Sequence, residues 1–163
     1  MKGTDRFLIA FVIGVVILVV IAFAVTLLRP EPEYQVEDSP EGVAHNYLLA
    51  LQKEDYERAY SYLSRQLEGY PTSTEDFTED VQDYSWAFRS GRNSTLTIES
   101  VDVADYKADV TVRETQFYGG GIFDSSQSIN TFEMFLQMEH GDWKIADSEY
   151  YFAYCWTFEN GCR

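Results

Sequence analysis

The hydrophobic pattern of this chain changes character twice between its first and last residues. Phe7 to Leu28, FLIAFVIGVVILVVIAFAVTLL, is apolar almost throughout, with no charge and Thr26 as its one polar residue. As a helix it would extend about 33 Å, the thickness of one hydrocarbon core. A helix is also the form that satisfies its own backbone groups there. From Val43 the pattern becomes helical and interrupted. Val43, Tyr47, Leu48 and Leu51 share one stripe, preceded by Ser39 as N-cap and Pro40 at the first helical position. A second helix is expected from Asp55 to about Ser64, with Tyr56, Tyr60 and Leu63 on one face. A third starts at Thr74 or Thr78, carries Phe77, Val81 and Tyr84, and ends near Phe88. Gly69-Tyr70-Pro71 separates them.

From Leu96 the period drops to two. Leu96, Ile98, Val101 and Val103 predict a first strand with an irregularity at Ser100, and Tyr106, Ala108, Val110 and Val112 predict a second. Ser128 to Met138 predicts a third, with Phe132, Met134, Leu136 and Met138 on one face. His140-Gly141-Asp142 turns the chain into a fourth, Trp143 to Tyr151. Gly119-Gly120-Gly121 with Ser125-Ser126 predicts a looser hairpin loop. Helices first and meandering strands second predict an α+β fold, with three helices packed on one antiparallel sheet.

Charge adds direction to this architecture. The chain has 163 residues, with 12 basic against 27 acidic, and a formal net charge of −15. Such a surface repels phosphate backbones, so no nucleic acid partner is expected. Lys2 and Arg6 precede the apolar segment, and Arg29 follows it among Glu31, Glu33, Glu37, Asp38 and Glu41. That bias favours a cytoplasmic tail at residues 1–6, a transmembrane helix at 7–28 anchored in the lipid bilayer, and a domain outside the cytoplasm. Residues 29–38, with Pro30 and Pro32, read as a stiff acidic linker, and residues 39–163 as one domain. The alternative for the apolar segment is a cleaved signal peptide. Ala22-Phe23-Ala24 fits a cleavage pattern, although the apolar run continues past it.

The residues also carry a resemblance. Val43 to Ser64, VAHNYLLALQKEDYERAYSYLS, resembles the opening helices of the nuclear-transport-factor-2-like superfamily through Ala50-Leu51, Asp55-Tyr56 and Ala59-Tyr60. His140 to Asp147, HGDWKIAD, is similar to that group's turn and Trp-containing strand. The resemblance spans about Ser39 to Tyr151 and implies a cone, a bent antiparallel sheet wrapped around helices, often with a pocket at its open end. Members include isomerases, cyclases, dehydratases and non-enzymatic binding modules, so the fold does not select a function. No catalytic residue and no cofactor follow from it.

Candidate chemistry comes from strand phase. If Val110 and Val112 face inward, Glu114, Gln116 and Tyr118 follow them. Pairing Val112 with Met134 sets Gln116 opposite Asn130, and Ile145 beside Leu136 brings Asp147 and Glu149 to the same face, with Glu149 near Glu114. Tyr60 and Trp86 are candidate walls. Two adjacent carboxylates would raise one pKa and make a proton donor or acceptor, or bind a cation or a basic ligand. The plainer alternatives are a solvated sheet end or a bulge that reverses the phase.

Cys155 and Cys162 flank WTFENG, whose Asn160-Gly161 turn brings the ends together, and a disulfide is expected. It would be worth roughly 2–3 kcal/mol by loop entropy. No carboxylate or serine sits at motif spacing to His45 or His140, so no catalytic or metal role is expected of them. The acids Glu75, Asp76, Glu79, Asp80 and Asp83 lack a calcium-loop glycine and read as a solvated helix face, so no metal is expected. The dense aromatics Tyr150, Tyr151, Phe152, Tyr154, Trp156 and Phe158 read as core, or as a platform for a partner or saccharide. Asn93-Ser94-Thr95 matches the glycosylation pattern. The expected function is a membrane-tethered module that binds an envelope protein or a small ligand. The alternatives are a small isomerase- or cyclase-type enzyme using the carboxylate pair, and an accessory domain of a membrane complex.

Overall fold

A computed structural model describes residues 2–28, 32–89, 94–121 and 124–162. The chain divides into two compact units, Met1–Glu33 and Tyr34–Arg163. The first is dominated by helix α1, Lys2–Leu27. Its segment Phe7–Val25 has a mean hydropathy of 3.4, and no part of it is buried by protein. By length and composition it is able to cross a membrane. Residues 29–31 of the expected linker lie outside the described residues.

The second unit holds α2 (Pro40–Gln52), α3 (Tyr56–Ser61), α4 (Thr74–Asp83) and an antiparallel sheet in the order β1-β2-β3-β4. The strands are β1 (Ser94–Ala104), β2 (Lys107–Gly121), β3 (Asp124–Glu139) and β4 (Asp142–Ser148). The helix starts follow local chemistry. Ser39 accepts the Gly42 amide at 3.2 Å with Pro40 behind it, and Asp55 and Ser73 cap α3 and α4 in the same way. α3 and α4 are shorter than expected. α3 stops at Ser61 because Leu63 leaves the helix to bridge Ile145, with Ser64 N donating to the Ile145 carbonyl at 2.8 Å. That bridge covers the free edge of β4. α4 stops at Asp83, and turns carry the chain through Phe88.

α2 packs across β1, β2 and β4, and the core lies between it and the sheet. Val43, Tyr47 and Leu48 meet Ala108, Val110, Val112, Phe132, Met134, Leu136 and Ile145 there. Leu96, Ile98 and Val101 are half-buried on β1, whereas Val103 and Tyr106 are exposed and do not join the inward face. The irregularity expected at Ser100 is present, with the register shifting between Ile98 and Ser100. The β3–β4 turn has φ of 53° at His140 and 100° at Gly141, the doubly left-handed form a two-residue hairpin needs. Two strand limits differ from expectation. β4 ends at Ser148, and Gly119, Gly121, Ser125 and Ser126 belong to the β2–β3 ladder rather than to a loop.

Candidate functional site

The polar end of the sheet is real but differently composed. Glu114 is fully buried and Gln116 nearly so, both on the inward face of β2. Their partners across the ladder are Asn130 and Ser128, because Val110 pairs with Met134 and Val112 with Phe132. The expected pairing of Gln116 with Asn130 is off by two residues. A slip of two keeps every side chain on its face, so hydrophobic alternation cannot distinguish the two registers. Asn130 itself is exposed.

The β3–β4 ladder explains why Asp147 and Glu149 do not converge on Glu114. Leu136 pairs with Ile145 but Phe135 pairs with Asp147, so Ala146 is an extra residue on β4. This bulge reverses the phase beyond Ile145. Ser148 is buried in place of Asp147, which is half-buried opposite Phe135. Glu149 is exposed, accepting the Glu133 amide at 3.2 Å. Trp86 is 70% exposed and walls nothing. Tyr60 is half-buried between Tyr70 and Phe77 and donates to the Pro71 carbonyl at 2.8 Å. Tyr118 is exposed, and its hydroxyl donates to Gln116 Oε1 at 2.7 Å.

The residues that do meet Glu114 come from loops. Arg89, buried beyond α4, donates from Nη1 to Glu114 Oε2. The Tyr151 hydroxyl donates to Oε1 at 2.9 Å. The Arg89 guanidinium lies 3.6 Å over the Tyr150 ring. Arg89 and Tyr151 hold φ of 51° and 60°, a left-handed backbone that costs non-glycine residues about 1–2 kcal/mol. Packing over-determines it. The Tyr151 amide donates to the Ala87 carbonyl at 3.0 Å, and the buried Tyr47 hydroxyl donates to the Tyr151 carbonyl at 2.5 Å. Burial raises the Tyr47 pKa, so it stays a neutral donor. Both Glu114 oxygens are thus committed to protein donors in a water-poor site. Sequence reasoning missed Arg89 and the role of Tyr151. The available signal was one basic residue closing the apolar run Trp86-Ala87-Phe88.

A second buried carboxylate, Glu139, accepts from the Ser64 hydroxyl and from Gln137 Nε2, the latter at 2.8 Å. It ties the chain after α3 to the end of β3 and was also not foreseen.

The expected disulfide Cys155–Cys162 is present, with Cα atoms 4.9 Å apart. The loop it closes packs on Gly69, whose Cβ would lie 2.4 Å from the Phe158 carbonyl oxygen. Between these segments is a cleft of about 240 Å³ lined by Glu68, Tyr70, Asp76, Asp80 and Glu159, among others. The acidic helix is therefore only partly a solvated face. Asp80 accepts Trp156 Nε1 at 2.7 Å, and burial raises its carboxyl above the ordinary value. Among the described residues no group of histidine, cysteine, aspartate and glutamate has the geometry to hold a metal ion. Of the C-terminal aromatics, Tyr151, Phe152 and Trp156 are core. Tyr154 and Phe158 are exposed and meet edge to face at 4.8 Å. His45 is half-buried on α2 and His140 lies exposed in the β3–β4 turn. Asn93 lies outside the described residues.

No protein-family model matches the sequence, and no curated protein is similar to it by sequence. Solved structures are similar in fold. A protein from Thiobacillus denitrificans described as a calcium/calmodulin-dependent protein kinase type II association domain superposes with a TM-score of 0.51 at 12% identity. The match covers 72% of this chain and 95% of that one. A cystatin-like-fold protein of unknown function from Nostoc punctiforme gives 0.48 at 14% identity, over 72% and 92%. A Streptomyces avermitilis protein described as a dehydratase from the NTF2-like family gives 0.45 at 14% identity, over 65% and 88%. The first likeness shows the fold of helices on an antiparallel sheet and leaves the function open.

Proposed function

We propose that this chain is a membrane-tethered member of the nuclear-transport-factor-2-like superfamily whose folded domain acts outside the cytoplasm by binding an envelope protein or a small ligand, not by catalysis. Its location is supported by the uncovered apolar segment Phe7–Val25, by Lys2 and Arg6 ahead of it, and by a disulfide, which persists in oxidising compartments. The observation that carries binding over catalysis is the state of Glu114. A general base must reach substrate, whereas Glu114 has no exposed surface, its Oε2 accepts from Arg89 and its Oε1 from Tyr151. The second carboxylate of the expected pair, Glu149, is exposed. The exposed Tyr154–Phe158 pair, braced by the disulfide, is a candidate contact for a protein partner.

Labelling tests the location. Lys107→Cys at the exposed start of β2, treated with a membrane-impermeant maleimide, should react while the cytoplasmic membrane is intact. The chain should also stay in the membrane fraction through an alkaline wash. Labelling only after lysis contradicts the outside domain, and release by alkali contradicts the tether.

One observation favours the enzyme reading, the phenol of Tyr151 held on a buried carboxylate. Under that reading Tyr151→Phe abolishes turnover and leaves stability unchanged; under the binding reading it lowers stability.

A further inference from the structure

The segment ahead of α2 is built into the second unit from Tyr34 onward. Asn46 of α2, with no exposed surface, clasps it. The Gln35 amide donates to Asn46 Oδ1 at 2.7 Å, and Asn46 Nδ2 donates to the Gln35 carbonyl at 2.8 Å. One side chain so supplies both halves of a strand-like pairing. At Gly42 the backbones approach until a Cβ would lie 2.0 Å from the Val36 carbonyl oxygen, and a side chain there would expel the segment. Arg58 stacks its guanidinium 3.6 Å over the Tyr34 ring and donates to Glu37 Oε1 at 2.8 Å. The Tyr34 hydroxyl donates to Asp55 at 3.1 Å, and the Tyr62 hydroxyl to Glu37 at 2.6 Å. The surface of α2 and α3 therefore recognises an aromatic ring, a backbone pair and, three residues after the ring, an acid.

This recognition is specific yet shallow. Val36 is 72% exposed, and Gln35 and Glu37 are exposed as well. Tyr34 is the segment's one apolar side chain half-buried against the core, and a segment that buries so little apolar surface opens without unfolding what lies beneath it. Its receptor residues lie on α2 and α3 or cap the ends of α3, which pack on the core.

We propose that Tyr34–Glu37 is a releasable strap that sets the free length of the chain before the domain. Docked, the folded unit begins at Tyr34; released, it begins at Ser39, the N-cap of α2. The use of this device rests on the membrane-tethered reading, although the strap itself does not. On that reading release lengthens the tether by up to about 17 Å at full extension.

Amide hydrogen exchange on the full chain in detergent micelles tests it, with the Gln35 amide as reporter. In the unmodified chain Gln35 should be protected, yet exchange at least about tenfold faster than the β2–β3 ladder amides. Tyr34→Ala and Glu37→Ala, both on the strap, should each speed Gln35 further by about threefold to tenfold and leave the ladder unchanged. Gln35 exchanging like an open peptide in the unmodified chain overturns the strap. Gln35 exchanging in step with the ladder overturns its release. Loss of the membrane reading alone changes none of these rates.

Discussion

Arg89, Glu114 and Tyr151 at the end of the sheet, and Arg58, Glu37 and Tyr62 on the helical surface, are the same chemistry placed in two environments. In each a guanidinium and a phenol donate to one carboxylate, and in each the guanidinium lies 3.6 Å over a further tyrosine ring, Tyr150 or Tyr34. The side chains of Arg89 and Glu114 are 8% and 0% exposed, against 36% and 50% for Arg58 and Glu37. Water makes the difference. A solvated pair gains little over its hydrated parts, whereas a buried pair cannot lose one member without stranding a charge. One group therefore fixes loops to the sheet, and the other suits a contact that opens and closes.

The largest effect that could break this comparison is at Arg89. Arg89→Met keeps the stem but strands Glu114, and should cost about 3–5 kcal/mol in chemical unfolding. Adding Glu114→Leu should recover part of that loss, because no buried charge is then left. Tyr151→Phe removes one charge-assisted hydrogen bond and should cost about 1.5–3 kcal/mol. Arg58→Met at the surface should cost less than about 1 kcal/mol, and raised salt should shrink even that.

The smallest effect is one of pH. The Tyr62 hydroxyl foremost, and Arg58 after it, hold the Glu37 carboxyl below its ordinary value of 4.5. Its folded pKa is depressed, so its contribution is present above the unfolded value and lost as pH falls through the folded one. The thermal midpoints of the native chain and of Glu37→Gln should differ slightly at neutral pH and converge below pH 4.5. A gap that widens in acid would reverse the assigned sign.

Much of the scaffold was legible. Ser39-Pro40 marks a capped start, Val43, Tyr47 and Leu48 mark a buried face, and His140-Gly141 marks a hairpin whose backbone demands left-handed residues. Alternation along β2 placed Glu114 inward. Two things were not legible. Alternation is blind to a slip of two, so the Asn130 pairing was misjudged. It also carries no sign of the extra residue at Ala146, which turned Glu149 outward. The partners of Glu114 were hidden for another reason. Arg89 and Tyr151 sit in irregular segments with positive φ, where side-chain direction follows tertiary packing and no sequence period applies. The strap was hidden because Pro32 and its acids suggested an open linker, and its receptor, Asn46, is a lone buried polar residue on a helix whose pattern shows only its apolar stripe.

The measurement that bears most directly on this account is the unfolding stability of Glu114→Gln in the full chain. Glutamine keeps the shape and still accepts from Tyr151, but leaves Arg89 buried and unpaired. The account predicts a loss of about 3 kcal/mol or more. Unchanged or increased stability would mean that the carboxylate is retained at a cost to folding, as chemistry demands, and would contradict the structural role on which the binding reading stands.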